Sequence, residues 1–292
     1  MRLSHIELGA TLFIPASFRS LNAIVNEQKY PELKSLVIDF EDGLCSDDIQ
    51  SATKNVEAVL QNIRSVTPLL FIRARSVEQL KTILAFEGIT HIRGFILAKF
   101  SLSNATAYLK LLEDTNYLIM PSIEGSELFE QSKLLTLRDI LLTNKKKVLL
   151  VRFGLEDMLR QLNIWRGCAE SIFDFASTSY VLGGFISIFK SSGFAISGGV
   201  YPCFKDDEGF KKDVQRDLKE GLFSKTVIHP SQIALAHKHY GVTQEELDKA
   251  KEIIKRHSEA VFSHNGTMAE VSTMLPFAKE ILSRKELYGV KE

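Results

Sequence analysis

Cysteine is scarce in this sequence, with three residues in 292, at positions 45, 168 and 203. An odd count at wide spacing fits neither a disulfide framework nor a zinc ribbon, so free thiols in a reducing compartment are expected. Net charge is also missing, because 36 basic residues cancel 36 acidic ones. That balance excludes a broad electrostatic affinity for nucleic acid or an anionic membrane. There is no long hydrophobic run, and the most apolar window, residues 181–189, is far too short to span a bilayer. His5 and Glu7 interrupt the N-terminal stretch before an apolar run ends at Pro15, which is not a signal-peptide pattern. A cytoplasmic protein is expected. No Gly-rich phosphate fingerprint follows the first apolar run, and no internal repeat or low-complexity segment is found.

What is present is an ordinary globular composition, 45% apolar and 25% charged. The length allows one large barrel or two average domains. Apolar runs alternate with helical periodicity along most of the chain. Strands are expected at residues 8–14, 36–40, 69–72, 94–98, 118–123, 148–151, 195–201 and 226–228. Helices are expected to begin near 19–25 and to cover 47–63, 77–86, 104–113, 128–142, the stretch after Gly154, 172–190 and 209–220. None of the strands alternates polar with apolar residues, as suits parallel strands covered on both faces. Repeated βα units predict an α/β fold, either a (β/α)8 barrel or an open doubly wound sheet, and the equal number of strands and crossovers with no Gly-rich fingerprint favours the barrel, over residues 1–240. Residues 241–292 read as a C-terminal helical extension. Thr243-Gln244-Glu245-Glu246 is a capping box, followed by an apolar stripe from Leu247 to Val261. A break at His264-Asn265-Gly266 and a second helix near Pro276 come next. These helices have no strand to cover, so they should cap the barrel or meet a second subunit.

In such a barrel, chemistry lies at the C-terminal ends of the strands. The polar residues found there are Glu41, Asp42, Arg73, Arg75, Lys99, Glu124 and Asp157. Glu124 and Asp157 each follow an apolar strand and precede a helix. Together they are candidate Mg²⁺ ligands, because hard cations take carboxylate oxygen and keep open positions. Either acid alone more often caps its helix or pairs with a surface base. Arg73 offers a planar cation for a carboxylate or a developing enolate. A rim salt bridge is the expectation for Arg75. Glu41 and Asp42 can move a proton, hold metal-bound water or simply orient Arg73, and the last is commonest. Lys99 is expected in an ion pair at the barrel mouth rather than as a Schiff-base amine. His229 reads as a structural hydrogen bonder, and Asp206-Asp207-Glu208-Gly209 as the acidic start of a helix.

The stretches Leu12-Phe13-Ile14-Pro15, Asp39-Phe40-Glu41-Asp42, Ile72-Arg73, Gly94 to Lys99, Ile123-Glu124, Phe153 to Asp157, Gly199-Val200-Tyr201-Pro202 and Lys225 to Ile233 come in a telling order. With that order and spacing the chain resembles the citrate lyase β-subunit-like family of the HpcH/HpaI aldolase group. The resemblance implies a barrel of the phosphoenolpyruvate/pyruvate type that assembles as a trimer or hexamer. It implies Mg²⁺-dependent cleavage or formation of a carbon–carbon bond in a hydroxy acid, commonly as a CoA thioester. By position it makes Glu124 and Asp157 the metal ligands, Arg73 the enolate-stabilising residue, Glu41 and Asp42 the acidic pair beside the metal, and Lys99 and Glu270 substrate contacts, Glu270 from a neighbouring subunit. Residues 216–221 and the C-terminal tail are similar to a subgroup encoded with tellurium-resistance-type gene clusters. The chain departs from the family pattern at Gly198, Ala98, Ile49 and Thr53. A biosynthetic enzyme running the reverse condensation, or a non-catalytic barrel that binds a metabolite or partner through the retained site, are the competing readings.

Overall fold

Strands β1 (Thr11–Pro15), β2 (Ser35–Asp39), β3 (Leu69–Ala74), β4 (Gly94–Leu97), β5 (Leu118–Ile123), β6 (Arg152–Phe153) and β7 (Thr226–Val227) form one parallel sheet in the order β6-β5-β4-β3-β2-β1-β7. The computed structural model describes residues 3–63, 68–256 and 259–291. Parallel neighbours need crossovers, and helices supply them. These are α1 (Leu21–Asn26), α2 (Ile49–Gln61), α3 (Val77–Ile83), α4 (Ala105–Leu111) and α5 (Gln131–Thr143), followed after β6 by α6 (Leu155–Gln161), α7 (Ala176–Ser191) and α8 (Asp207–Lys219), and after β7 by α9 (Ser231–Tyr240). Isolated parallel bridges Val151–Ile196 and Ser197–Phe223 carry the pairing onward from β6 toward β7. The strand expected at 195–201 is therefore reduced to single bridges. Gly198 and Gly199 disfavour a regular strand there, and the Gly199 carbonyl accepts from Lys225 Nζ at 2.8 Å.

The core explains why the strands lack alternation. Val37, Phe71, Ile96 and Met120, one from each of β2 to β5, pack with Leu149 and Leu150 in one buried cluster. Their neighbours along each strand are also buried, under helices such as α2, which turns Ala52, Val56, Val59 and Leu60 inward.

The chain divides into two compact units, residues 1–233 and 234–292. In the second, α10 (Gln244–Lys255) opens on the expected capping box, with Glu246 N donating to Thr243 Oγ1 at 3.1 Å. The all-helical expectation is corrected beyond it. The helical stripe was to reach Val261, yet α10 ends at Lys255, residues 257–258 lie outside the described residues, and Val261 opens a strand. Strands β8 (Val261–His264) and β9 (Thr267–Glu270) form an antiparallel hairpin before α11 (Val271–Tyr288). Asn265 and Gly266, at φ of 47° and 74°, are its two-residue turn rather than a helix break. Phe262 and Ala269 bury one face of the hairpin with Ala250, Ile253 and Ala278.

The cysteine expectation is also corrected. Cys168 and Cys203 form a disulfide with Cα atoms 5.8 Å apart, and Cys45 alone is a free, exposed thiol. Two loops at the C-terminal side of the sheet meet here, and the donation of Ala169 N to Tyr201 Oη at 3.0 Å fixes the approach. The thiol argument for a reducing compartment loses its basis. Among the described residues, no helix is long and apolar enough to cross a membrane.

His5 supplies a pH-dependent term. Burial and the Lys190 charge depress its imidazole from 6.5 to about 4. The unfolded chain thus takes up a proton that the folded one refuses, so this contribution is complete above pH 6.5 and is lost as pH falls toward 4. Urea unfolding should show His5→Gln losing on the order of 2 kcal/mol less than the wild type across that interval. Parallel pH profiles for the two proteins would contradict it.

Candidate functional site

Strand register decides which side chains meet. Asp39 pairs with Arg73 across β2 and β3, and Ser122 pairs with Arg152 across β5 and β6. All four line a cleft of about 420 Å³ at the C-terminal ends of the strands, together with Asp42, Glu124, Glu156 and Asp157. Phe13, Phe153 and Leu155 give it an apolar wall.

On one side of the cleft Arg73 is locked by acids. Its Nε and Nη2 meet the two Asp39 oxygens at 2.6 and 2.7 Å, a bidentate pair. Its Nη1 lies 2.8 Å from Glu41 and 3.1 Å from Asp42. Burial opposes the guanidinium charge, but the three carboxylates outweigh it and raise the Arg73 pKa. Lys99 hydrogen-bonds Glu41 and stands 3.6 Å from Asp42. Burial works against the ammonium, yet Glu41 keeps its pKa above the ordinary value, so Lys99 remains a protonated ion-pair partner as expected. Burial pushes the Glu41 carboxyl up, with Arg73 and Lys99 offsetting part of that.

Glu124 is in a different situation. It follows β5 directly and is buried, and its Oε2 has no hydrogen-bond partner. Burial, with the Glu41 charge second, pushes its carboxyl up to about 7, while a Ser122 hydrogen bond and Arg73 pull the other way. Gly154 makes room for it, since a Cβ there would lie 2.2 Å from Glu124 Cγ. Asp157 occupies the first turn of α6, accepts from Arg160 at 2.6 Å and adds its charge to the field at Glu124. Among the described residues, no group of three or more His, Cys, Asp or Glu side chains is gathered for a metal ion. Glu124 and Asp157 nevertheless line the same cleft, and carboxylate oxygen is the ligand that hard cations take.

Other expected residues fall elsewhere. Among the described residues Arg75 makes no rim salt bridge; it donates to the Leu44 carbonyl at 2.7 Å and the Phe40 carbonyl at 3.3 Å, tying down the loop after β2. His229 bonds Ser231 Oγ at 2.8 Å and stacks on Phe204, and Asp206 caps α8 by accepting from Gly209 N at 2.9 Å. Glu270 belongs to the second unit, where it ends β9, precedes α11 without a side-chain capping bond, and accepts from Ser272 Oγ at 3.2 Å. The residue-by-residue reading passed over Asp39 and Arg152. Each is a charge inside an apolar run, and that anomaly was the available signal.

A model of carbon–carbon bond lyases of the TIM-barrel fold matches residues 2–290. The chain is 29% identical to citrate lyase subunit beta of Escherichia coli K12 over 148 residues, 49% of this chain and 47% of that protein. It is 28% identical to (3S)-malyl-CoA thioesterase of Cereibacter sphaeroides over 103 residues, 33% of this chain and 36% of that one. The match thus spans about half the length of the citrate lyase relatives. A Burkholderia xenovorans citrate lyase superimposes with a TM-score of 0.74 at 16% identity, covering 99% of this chain and 96% of the other. Mycobacterium tuberculosis CitE, in complex with magnesium, acetoacetate and coenzyme A, gives 0.70 at 18% identity, covering 97% and 99%. Strand order, cleft position and a family match over almost every residue agree, and the chain belongs to the carbon–carbon bond lyase family of the TIM-barrel fold.

Proposed function

We propose that this chain is a Mg²⁺-dependent carbon–carbon bond lyase or aldolase that acts on a small hydroxy acid, free or as its CoA thioester, through an enolate. Glu124 carries the reading: a buried carboxylate with an unpartnered oxygen, in a cleft shared with Asp157. A buried carboxylate oxygen with no hydrogen-bond partner is unfavourable, and its chemistry suits a hard divalent ion. Bound there, Mg²⁺ would supply Lewis-acid polarisation of a substrate carbonyl.

The chain's own residues arrange the rest. Asp39, Glu41 and Asp42 hold Arg73 as a fixed positive charge in the cleft, available to a developing oxyanion without reorganisation. Lys99 offsets Glu41. Phe13, Phe153 and Leu155 keep water from one wall, which strengthens every charge interaction inside. In this reading the seven strands and the bridging residues 196 and 197 amount to a closed (β/α)8 barrel. The protein is a cytoplasmic trimer or hexamer in which Glu270 contributes to a neighbouring copy's cleft. The ligands named for Mycobacterium tuberculosis CitE support the substrate class.

Solvent deuterium exchange into pyruvate or acetyl-CoA tests the proposal, because the enolate left by cleavage is protonated from solvent, and in the condensation direction loss of the C–H proton precedes carbon–carbon bond formation. Exchange should require Mg²⁺ and disappear in Asp157→Asn. Should Mg²⁺ bind with no exchange in any of a panel of keto acids and thioesters, the chain is a metabolite-binding barrel instead.

A further inference from the structure

We infer that the Cys168–Cys203 disulfide is a thiol-responsive clasp on the wall of the cleft, opened by a dithiol reductant and closed again by a disulfide oxidant. The clasp stands on its own geometry, and only its meaning for catalysis rests on the lyase reading above.

Two segments meet at this bond, and each leads into the cleft. One follows α6, whose Leu155, Glu156 and Asp157 line the cleft. The other carries Cys203 and lines the cleft through Val200. The two already touch there, since a Cβ at Gly199 would lie 3.0 Å from Leu155 Cδ2. Around the disulfide, Arg166 Nη2 donates to the Val200 carbonyl at 2.8 Å and Ala169 N donates to Tyr201 Oη at 3.0 Å. The Arg166 guanidinium carbon also stands 5.6 Å from the centre of the Tyr201 ring.

The stretch 163–169 is held against its own preference. Ala169, at φ of 70°, sits in the left-handed region that an alanine rarely adopts, and Asn163 begins the stretch at 53°. The Arg166 side chain is 2% exposed, yet its Nε and Nη1 have no hydrogen-bond partner among the described residues. Asp213, at 3.9 Å from Nη1, is too far to supply one. Ala169 and Tyr201 border a cavity of about 270 Å³ rather than a packed core. Strain, an under-bonded cation and open space favour release, and the covalent bond opposes it.

The bond is also within reach of solvent, because Cys168 is exposed and Cys203 half-buried. Exposed disulfides are the labile and regulatory ones. A thiolate of the reductant attacks the Cys168 sulfur, and the Cys203 sulfur leaves as a thiolate. The reductant's second thiol then displaces Cys168, so two electrons and two protons pass to the protein and the reductant ends as its own disulfide. Ala169 can then leave the left-handed region, Arg166 turns to water, and the wall at Val200 loosens.

Hydrogen–deuterium exchange on the wild type, untreated and treated with dithiothreitol, tests this, with Cys168→Ser/Cys203→Ser as the permanently open form. Thiol titration should count one reactive thiol before reduction and three after it. Exchange at residues 163–169 and 199–203 should become about tenfold faster or more, while β1 to β5 exchange as before. The double variant should match the reduced protein, and oxidised glutathione should restore slow exchange in the wild type alone. A disulfide that resists dithiothreitol in the folded protein overturns the inference. So does uniform acceleration across the barrel, the mark of a global staple, and so does reduction with no change in exchange. If the double variant fails to fold, the treated wild type decides by the same outcomes. Mg²⁺ titration of both redox forms keeps the two readings apart. No Mg²⁺ binding in either form, with local acceleration, overturns the lyase reading and leaves the clasp; Mg²⁺ binding with uniform or absent acceleration does the reverse.

Discussion

Replacing Glu124 with Gln is expected to weaken Mg²⁺ binding by on the order of a hundredfold while making the metal-free protein more stable above pH 7. The two effects share one cause. Mutating even the outer-shell partners of metal ligands typically lowers affinity tenfold to a hundredfold, so loss of a carboxylate from a two-carboxylate site should reach the upper end. In the metal-free protein the same carboxylate is a liability. Burial pushes it from 4.5 to about 7, so the folded chain holds a proton that the unfolded chain has released. Below pH 4.5 both states are protonated and the group is neutral to stability. Between 4.5 and 7 stability declines as pH rises, and above 7 the full penalty stands, on the order of 2–3 kcal/mol. Gln has no such dependence. Urea unfolding at pH 4.5 and pH 8, with calorimetric Mg²⁺ titration, separates these outcomes. A variant that binds Mg²⁺ like the wild type would remove Glu124 from the metal site. A variant no more stable at pH 8 would mean that the carboxylate is solvated after all.

Glu124 was legible because it stands directly after an apolar run and before a helix, the pattern of a strand delivering a side chain to a barrel mouth, and Asp157 because it opens the helical spacing just after Gly154. Arg73 was legible for the same reason. Arg152 was not, because periodicity reads a charge in a run as the end of the strand, whereas here β6 begins at that residue. Asp39 stood in the stretch Asp39-Phe40-Glu41-Asp42 with no role of its own, and only the register of β2 against β3 makes it the bidentate partner of Arg73. The disulfide joins residues 35 apart on loops from successive crossovers, a proximity that no local spacing encodes. The hairpin carried a strong signal in Asn265-Gly266, but its four-residue strands are too short to show alternation against the helices on either side. What depends on neighbours within a few residues was readable; what depends on strand register or loop docking was not.

Lys225→Met should be the most destabilising single change in the barrel, by about 3–5 kcal/mol. Lys225 is 1% exposed, and its ammonium spends its three donors on Asp213 at 2.5 Å, Asp217 at 2.7 Å and the Gly199 carbonyl at 2.8 Å. Arg166 stands 3.9 Å from Asp213, so two cations and two anions balance in a buried group. Burial holds the Asp217 carboxyl above its usual range even with Lys225 beside it. Removing the ammonium leaves two carboxylates crowded in low dielectric, and one must take up a proton. The folded variant then binds protons that the unfolded chain lacks, so its deficit should grow as pH rises from 5 to 8. The group cannot relax by moving apart. A Cβ at Gly198 would already lie 2.2 Å from Asp217 Oδ2, so the carboxylate is wedged against the strand. The consequence reaches the cleft, because Lys225 precedes Thr226, whose hydroxyl orients Arg152. Adding Asp217→Asn to Lys225→Met removes the surplus negative charge, leaves Arg166 balanced by Asp213, and should restore most of the stability. Chemical denaturation of the single and double variants at both pH values measures this. A pH-independent loss below about 1 kcal/mol in Lys225→Met would mean that water reaches the network and that its charges are not buried.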